Sequence, residues 1–134
     1  MAAQPPAAGQ GVNVNAIATS FIKHYYATFD NDRSKLGSLY NAKSMLHFEG
    51  TTHQGAEKIV QKLTNLSFQK VAHNVKGVDA QPSGVGILIF VTGDLKIDAE
   101  PNAVKFSQCF HLLPSDATGR NFTVYNDLFR LNYG

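Results

Sequence analysis

Apolar residues recur at every fourth position near the start of the chain, at Ile17, Phe21, Tyr25 and Phe29, with Ile22 and Tyr26 beside them. This spacing lays a wide apolar stripe along one face of a helix, and Asn15 is placed to cap its start. Asn31-Asp32 interrupts the pattern, and Leu36, Leu39 and Tyr40 after an Asp32 cap predict a second, short helix containing Gly37. Residues 45–49 alternate Leu46 and Phe48 against Met45, His47 and Glu49, the two-residue period of a short strand that Gly50 ends. A third helix is expected over 55–66, where Ile59, Val60, Leu63 and Leu66 return to helical spacing. Four long strands follow, over 68–78, 85–98, 104–113 and 121–131, divided by Pro82-Ser83-Gly84, Glu100-Pro101-Asn102 and Pro114-Ser115-Asp116. Consecutive strands of this kind form an antiparallel meander, and helices that precede it pack on one of its faces. The predicted class is therefore α+β: a strongly curved antiparallel sheet forming a cone, three helices from the N-terminal half packed on it, and a pocket at the open end.

Composition narrows the picture. A chain of 134 residues suits one domain, and its 43% hydrophobic and 16% charged content can supply a core. Residues 1–13, rich in Ala, Pro and Gly and lacking charge, read as a flexible tail, and 14–134 as the single domain. Formal charge is only +2, with no basic run to follow a phosphate backbone, so direct nucleic-acid binding is not expected. The one cysteine, Cys109, excludes an intrachain disulfide and a cysteine-based zinc cage, and fits a reducing compartment. The first residues carry no basic, apolar leader, and the longest apolar run, 85–91, is far shorter than the roughly 20 residues of a membrane helix. No membrane insertion is expected, and the cytoplasm or nucleus is the expected location.

Candidate chemistry is sparse. The five histidines show no metal-binding spacing, and neither a nucleophile elbow nor a phosphate-binding glycine loop occurs, so no metal, cofactor or catalytic site is expected. Asp127 with Tyr125 and His73 is the one trio to weigh for acid–base work, against the simpler reading of Asp127 as a hydrogen-bonded structural carboxylate. Asp94, Asp98 and Glu100 share one parity at the end of a strand and into its turn, and Glu49 ends another strand. If curvature brings those ends together, an apolar pocket with an acidic rim results, suited to a partner's aromatic residue flanked by basic ones; an ordinary solvated turn is the alternative. Phe90, Phe106, Phe110 and Phe122 offer more aromatic strand surface than three small helices cover, which predicts a homodimer, unless the helices cover it all.

Several segments are similar to one family in order and spacing: Phe21-Ile22-Lys23-His24-Tyr25-Tyr26, Phe29-Asp30-Asn31-Asp32-Arg33 with Leu36-Gly37, Phe68-Gln69-Lys70-Val71-Ala72-His73, Asp79-Ala80-Gln81-Pro82, Phe106-Ser107-Gln108 and Asn126-Asp127-Leu128-Phe129-Arg130-Leu131. From Asn15 to Tyr133 the chain resembles the nuclear transport factor 2 family. That resemblance implies a homodimeric nuclear import carrier, not an enzyme, which binds the GTPase Ran in its GDP form and phenylalanine-glycine repeats of nucleoporins. It implies a Ran-binding site of Phe48, Glu49, Leu66, Val71, Asp98, Glu100 and Phe129. Phe48 stands where animal members usually carry Trp, and Glu100 where Asp is more familiar. For nucleoporin repeats it implies Val14 and Ile17 near the start of the first helix, Val14 replacing a bulky aromatic. Two further readings keep the fold: an interaction module of a messenger-RNA export adaptor or scaffold, and a small-molecule isomerase or dehydratase.

Overall fold

The computed structural model describes residues 13–118 and 121–132. The expected tail, up to residue 12, lies outside them, and Asn13 belongs to the fold: it caps the first helix, α1 (Val14–Asn31). Its side-chain oxygen accepts from the N–H groups of Asn15 at 2.9 Å and Ala16 at 3.2 Å. Asn15, the expected cap, is instead one of the capped donors. A cap of this type contributes about 1 kcal/mol. Asp32 does cap the next element, a 3₁₀ helix over Arg33–Leu39, accepting from the N–H of Ser34. The third helix is α2 (Ala56–Thr64).

Six strands form one unclosed, curved sheet: β1 (Tyr40–Phe48), β2 (Thr51–Gln54), β3 (Val71–Ser83), β4 (Gly86–Ile97), β5 (Val104–Pro114) and β6 (Phe122–Asn132), in the order β2-β1-β6-β5-β4-β3. The meander from β3 to β6 is antiparallel throughout, whereas β1 and β6 pair in parallel. β1 is longer than its alternation indicated, and β2, wholly polar, is an addition. The two are joined by Glu49-Gly50, both at positive φ (49° and 95°), which is the backbone of a two-residue hairpin turn. β3 starts later than expected and runs through Pro82, tolerated because β3 is an edge strand.

The helices cover one face of the sheet. Tyr25, Leu36, Leu46, Ile59, Ile87 and Phe110 are buried there, with the Phe110 ring set edge-on to Phe21 and Tyr25 at 5.2 and 4.8 Å. The other face is open. Phe90, Cys109 and Leu128 lie side by side in register across β4, β5 and β6, with Leu88, Met45 and Tyr125 also exposed on that face. Of the four phenylalanines weighed as interface residues, only Phe90 belongs here, since Phe106 and Phe110 point into the core and Phe122 is half-buried.

Candidate functional site

Parallel pairing puts Phe48 opposite Phe129, and the two rings stack with centroids 4.8 Å apart. Phe106 extends the stack beneath Phe129 at 5.9 Å. Around the first pair, Val71 and His73 from β3, Leu95 and Ile97 from β4, Leu131, Phe29 and Phe68 close a cavity of about 40 Å³. Alternation explains the convergence: Val71, Leu95 and Phe129 are inward positions of strands whose ends meet on the helix-covered face.

Three expected site residues, Phe48, Val71 and Phe129, are thus brought together, at 9%, 6% and 7% exposure. Leu66 is half-buried against the core and is not part of the lining. Glu49 stands at the edge: its N–H donates to the Phe129 carbonyl at 3.2 Å, and its carboxylate accepts from the N–H of Leu131. Asp98 is also exposed and at positive φ, 49°. One of its oxygens accepts from the N–H groups of Gln69 at 3.0 Å and Lys70 at 2.8 Å, and its own N–H donates to the Lys70 carbonyl. Glu100 is exposed in the same turn, its N–H bonded to the Ile97 carbonyl. Glu49 and Asp98 are the two non-glycine residues with positive φ among those described, and both sit in turns that follow strands.

Asp98 and Glu100 lie in the turn, as expected, but the shared face with Asp94 does not extend to them. β4 ends at Ile97, so Asp98 and Glu100 lie in the following turn, while Asp94 stays on the strand opposite Lys105. Basic groups also approach the cavity: Lys62 Nζ lies 5.6 Å from the Phe48 ring, and Arg33 packs over Phe29 and Phe68. Phe29, Phe68, His73, Leu95, Ile97 and Leu131 also line the cavity and are not among the expected site residues; alternation along β4 is the signal that points to Leu95 and Ile97.

The trio of Asp127, Tyr125 and His73 is not assembled. Tyr125 lies on the open face, and His73 bonds Asp30 through Nδ1 at 2.6 Å and through its N–H at 2.9 Å. Asp127 is fully buried and accepts from Gln108 Nε2 at 2.7 Å, Tyr40 at 2.8 Å and Tyr25 at 3.3 Å. Burial raises its pKa to about 6 against the opposing pull of those donors. Burial and the Asp127 charge push both Tyr25 and Tyr40 far above the usual phenol range, so they remain donors. The arrangement is a structural polar network.

Val14 and Ile17 lie elsewhere. Val14 is buried at 9% exposure, while Ile17 borders a second groove, of about 580 Å³, with Phe21, Leu39, Leu112 and Phe122. Among the described residues no cluster of His, Cys, Asp and Glu could hold a metal, and no helix is long and apolar enough to cross a membrane.

The class is an α+β fold in which helices cover one face of a curved six-stranded sheet and leave an apolar pocket between strand ends. The profile of the Nuclear transport factor 2 (NTF2) domain matches residues 17–131, and the chain belongs to that family. It is 52% identical to "Nuclear transport factor 2" of Candida albicans over 124 residues, covering 91% of this chain and 98% of that protein. The structure of nuclear transport factor 2 from Cryptosporidium parvum superposes with a TM-score of 0.85 at 44% identity, over 96% of this chain and all of the other. At 15% and 13% identity, a Mex67:Mtr2 complex and a hexachlorocyclohexane dehydrochlorinase share the fold alone. The highly identical relatives are named as transport factors, not enzymes.

Proposed function

We propose that this protein is a homodimeric nuclear import carrier that binds GDP-loaded Ran and phenylalanine-glycine repeats of nucleoporins, and takes Ran through the pore into the nucleus. Family membership supports this reading, and the observation that carries it is the apolar pocket containing Phe48, Val71 and Phe129, with Glu49 exposed in the turn after Phe48 and Asp98 and Glu100 exposed in the turn after Ile97, both lining residues that end their strands. An aromatic side chain of Ran would seat in the pocket while basic neighbours meet the carboxylates, which gives affinity from burial and selectivity from charge. Nucleotide discrimination then follows from the shape of Ran's own switch, without contact to the nucleotide.

Leu66, half-buried against the core outside the pocket lining, completes the Ran-binding surface in this reading. The groove beside Ile17 is the place for a repeat phenylalanine, with Val14 three residues earlier, in the first turn of the same helix. Weak, fast-exchanging contact there suits a carrier that must release repeats quickly. The open sheet face, with Phe90 and Leu128 at its centre, is the homodimer surface. The protein works in the cytoplasm and nucleus, enriched at the pore, and requires no cofactor. Surface-immobilised Ran-GDP tests the reading: Phe129→Ala should lose most of the wild-type response, and an unchanged response would remove the pocket from the binding site.

A further inference from the structure

The pocket is narrow as it stands. Its 40 Å³ is little more than the volume of one water, whereas a cavity that takes up benzene measures on the order of 150 Å³. An aromatic side chain therefore enters only if a wall moves. Phe68 is the lining residue that belongs to no helix or strand; the others are fixed by α1 or by the sheet.

Two groups hold that wall. Arg33 donates from Nη2 to the Phe68 carbonyl at 3.1 Å, and its guanidinium packs against the Phe68 ring at 5.1 Å and the Phe29 ring at 5.6 Å. From the other side, a single Asp98 oxygen takes the N–H groups of the next two residues, Gln69 and Lys70. We propose that Phe68 is a gate over the pocket and that Arg33 and Asp98 are the positioning residues that hold it shut. A cation on the partner that draws Asp98 away loosens residues 68–70, so charge recognition at the edge releases the wall and lets the aromatic side chain in. The inference rests on the reading of the pocket as the seat of a partner's aromatic residue, and it makes Asp98 more than a point charge.

The probe is N-acetylphenylalaninamide, titrated into full-length protein while the methyl resonances of Val71 and Leu95 are followed. Wild type should respond weakly, and Phe68→Ala should bind at least about tenfold more tightly, because apparent affinity scales with the open fraction. Arg33→Gln and Asp98→Ala should fall between them, and amide exchange at Gln69 and Lys70 should accelerate about tenfold or more in Asp98→Ala. Asp98→Asn keeps an oxygen acceptor, so it should preserve slow exchange while losing the charge.

A wild type that binds the amide as tightly as Phe68→Ala would overturn the gate, as would a folded Phe68→Ala that fails to bind it. Unchanged Gln69 and Lys70 exchange in Asp98→Ala would overturn the part assigned to Asp98. Ran-GDP is titrated separately. If it fails to bind while the amide series holds, the partner is wrong and the gate stands; if it binds while the series fails, the gate is wrong.

Discussion

Phe48 and Phe129 lie nearly parallel, their planes 12° apart and their centroids 4.8 Å apart, because β1 and β6 run in the same direction with those two residues in register. The pair joins the first strand of the chain to the last, so one side of the pocket depends on the only parallel pairing among the described strands. Such a stack contributes about 0.5–1.5 kcal/mol beyond area burial. Phe48→Leu keeps the volume roughly but loses the stack. It should lower stability by about 1 kcal/mol in urea titration and weaken Ran binding more than it weakens the fold.

Glu49 has a backbone contact and a proposed part in Ran binding, which substitutions can separate. Glu49→Gln retains an acceptor for the Leu131 N–H and removes the charge, whereas Glu49→Lys reverses it. The account predicts a graded loss of Ran-GDP affinity, modest for Gln and several kcal/mol for Lys where the pair is desolvated. Thermal melting should change little in Glu49→Gln, which keeps the Leu131 contact, and fall slightly in Glu49→Lys, which loses it. Equal affinity for Glu49→Lys and wild type would remove this residue from the site.

Asp127 predicts a pH dependence of stability. Its folded pKa of about 6 exceeds the ordinary 3.8, so between these values the native state holds more proton than the unfolded chain. Stability from this group therefore falls as pH rises from about 4 to 6, by up to about 3 kcal/mol, and is flat on either side. Asp32 and Asp116, whose hydrogen bonds lower their pKa, act in the opposite sense below the usual carboxylate range. Urea midpoints of wild type and Asp127→Asn across pH 4–7 isolate the Asp127 contribution: their difference should change through that window and stay constant above it.

The curvature of the sheet has its own test at Gly93. A Cβ there would sit 2.3 Å from the Asn74 carbonyl oxygen, beside the irregular register of β3 between Val75 and Gly77. Gly93→Ala should cost about 1–3 kcal/mol, a value typical of overpacking.

Much of this architecture is legible in periodicity. Ile17, Phe21, Tyr25 and Phe29 foretell α1, and the alternation from Ile87 to Leu95 foretells a strand. That alternation is less informative about which face is buried, because Leu88 and Phe90 are as apolar as Ile87 and Ile89. The aromatic residues of the open face were therefore sorted only by the fold. β2 carries no apolar residue to signal it, and parity failed beyond Ile97 because Asp98 turns the chain at positive φ. The gate at Phe68 depends on backbone carbonyl and N–H groups, and residue types do not reveal their partners.

The proposed dimerisation uses the open face. Phe90 is 45% and Leu128 53% exposed at its centre, with Cys109 between them in register. Sedimentation of wild type at micromolar concentration should give about twice 14.6 kDa, and Phe90→Lys should give the monomer mass with its fold retained. A wild-type mass near 14.6 kDa would end the homodimer proposal.

Calorimetric titration of the purified protein with Ran loaded with GDP, and separately with a GTP analogue, tests the central claim most directly. The account predicts saturable binding of the GDP form and none of the GTP form. Equal binding of both forms, or of neither, would contradict it.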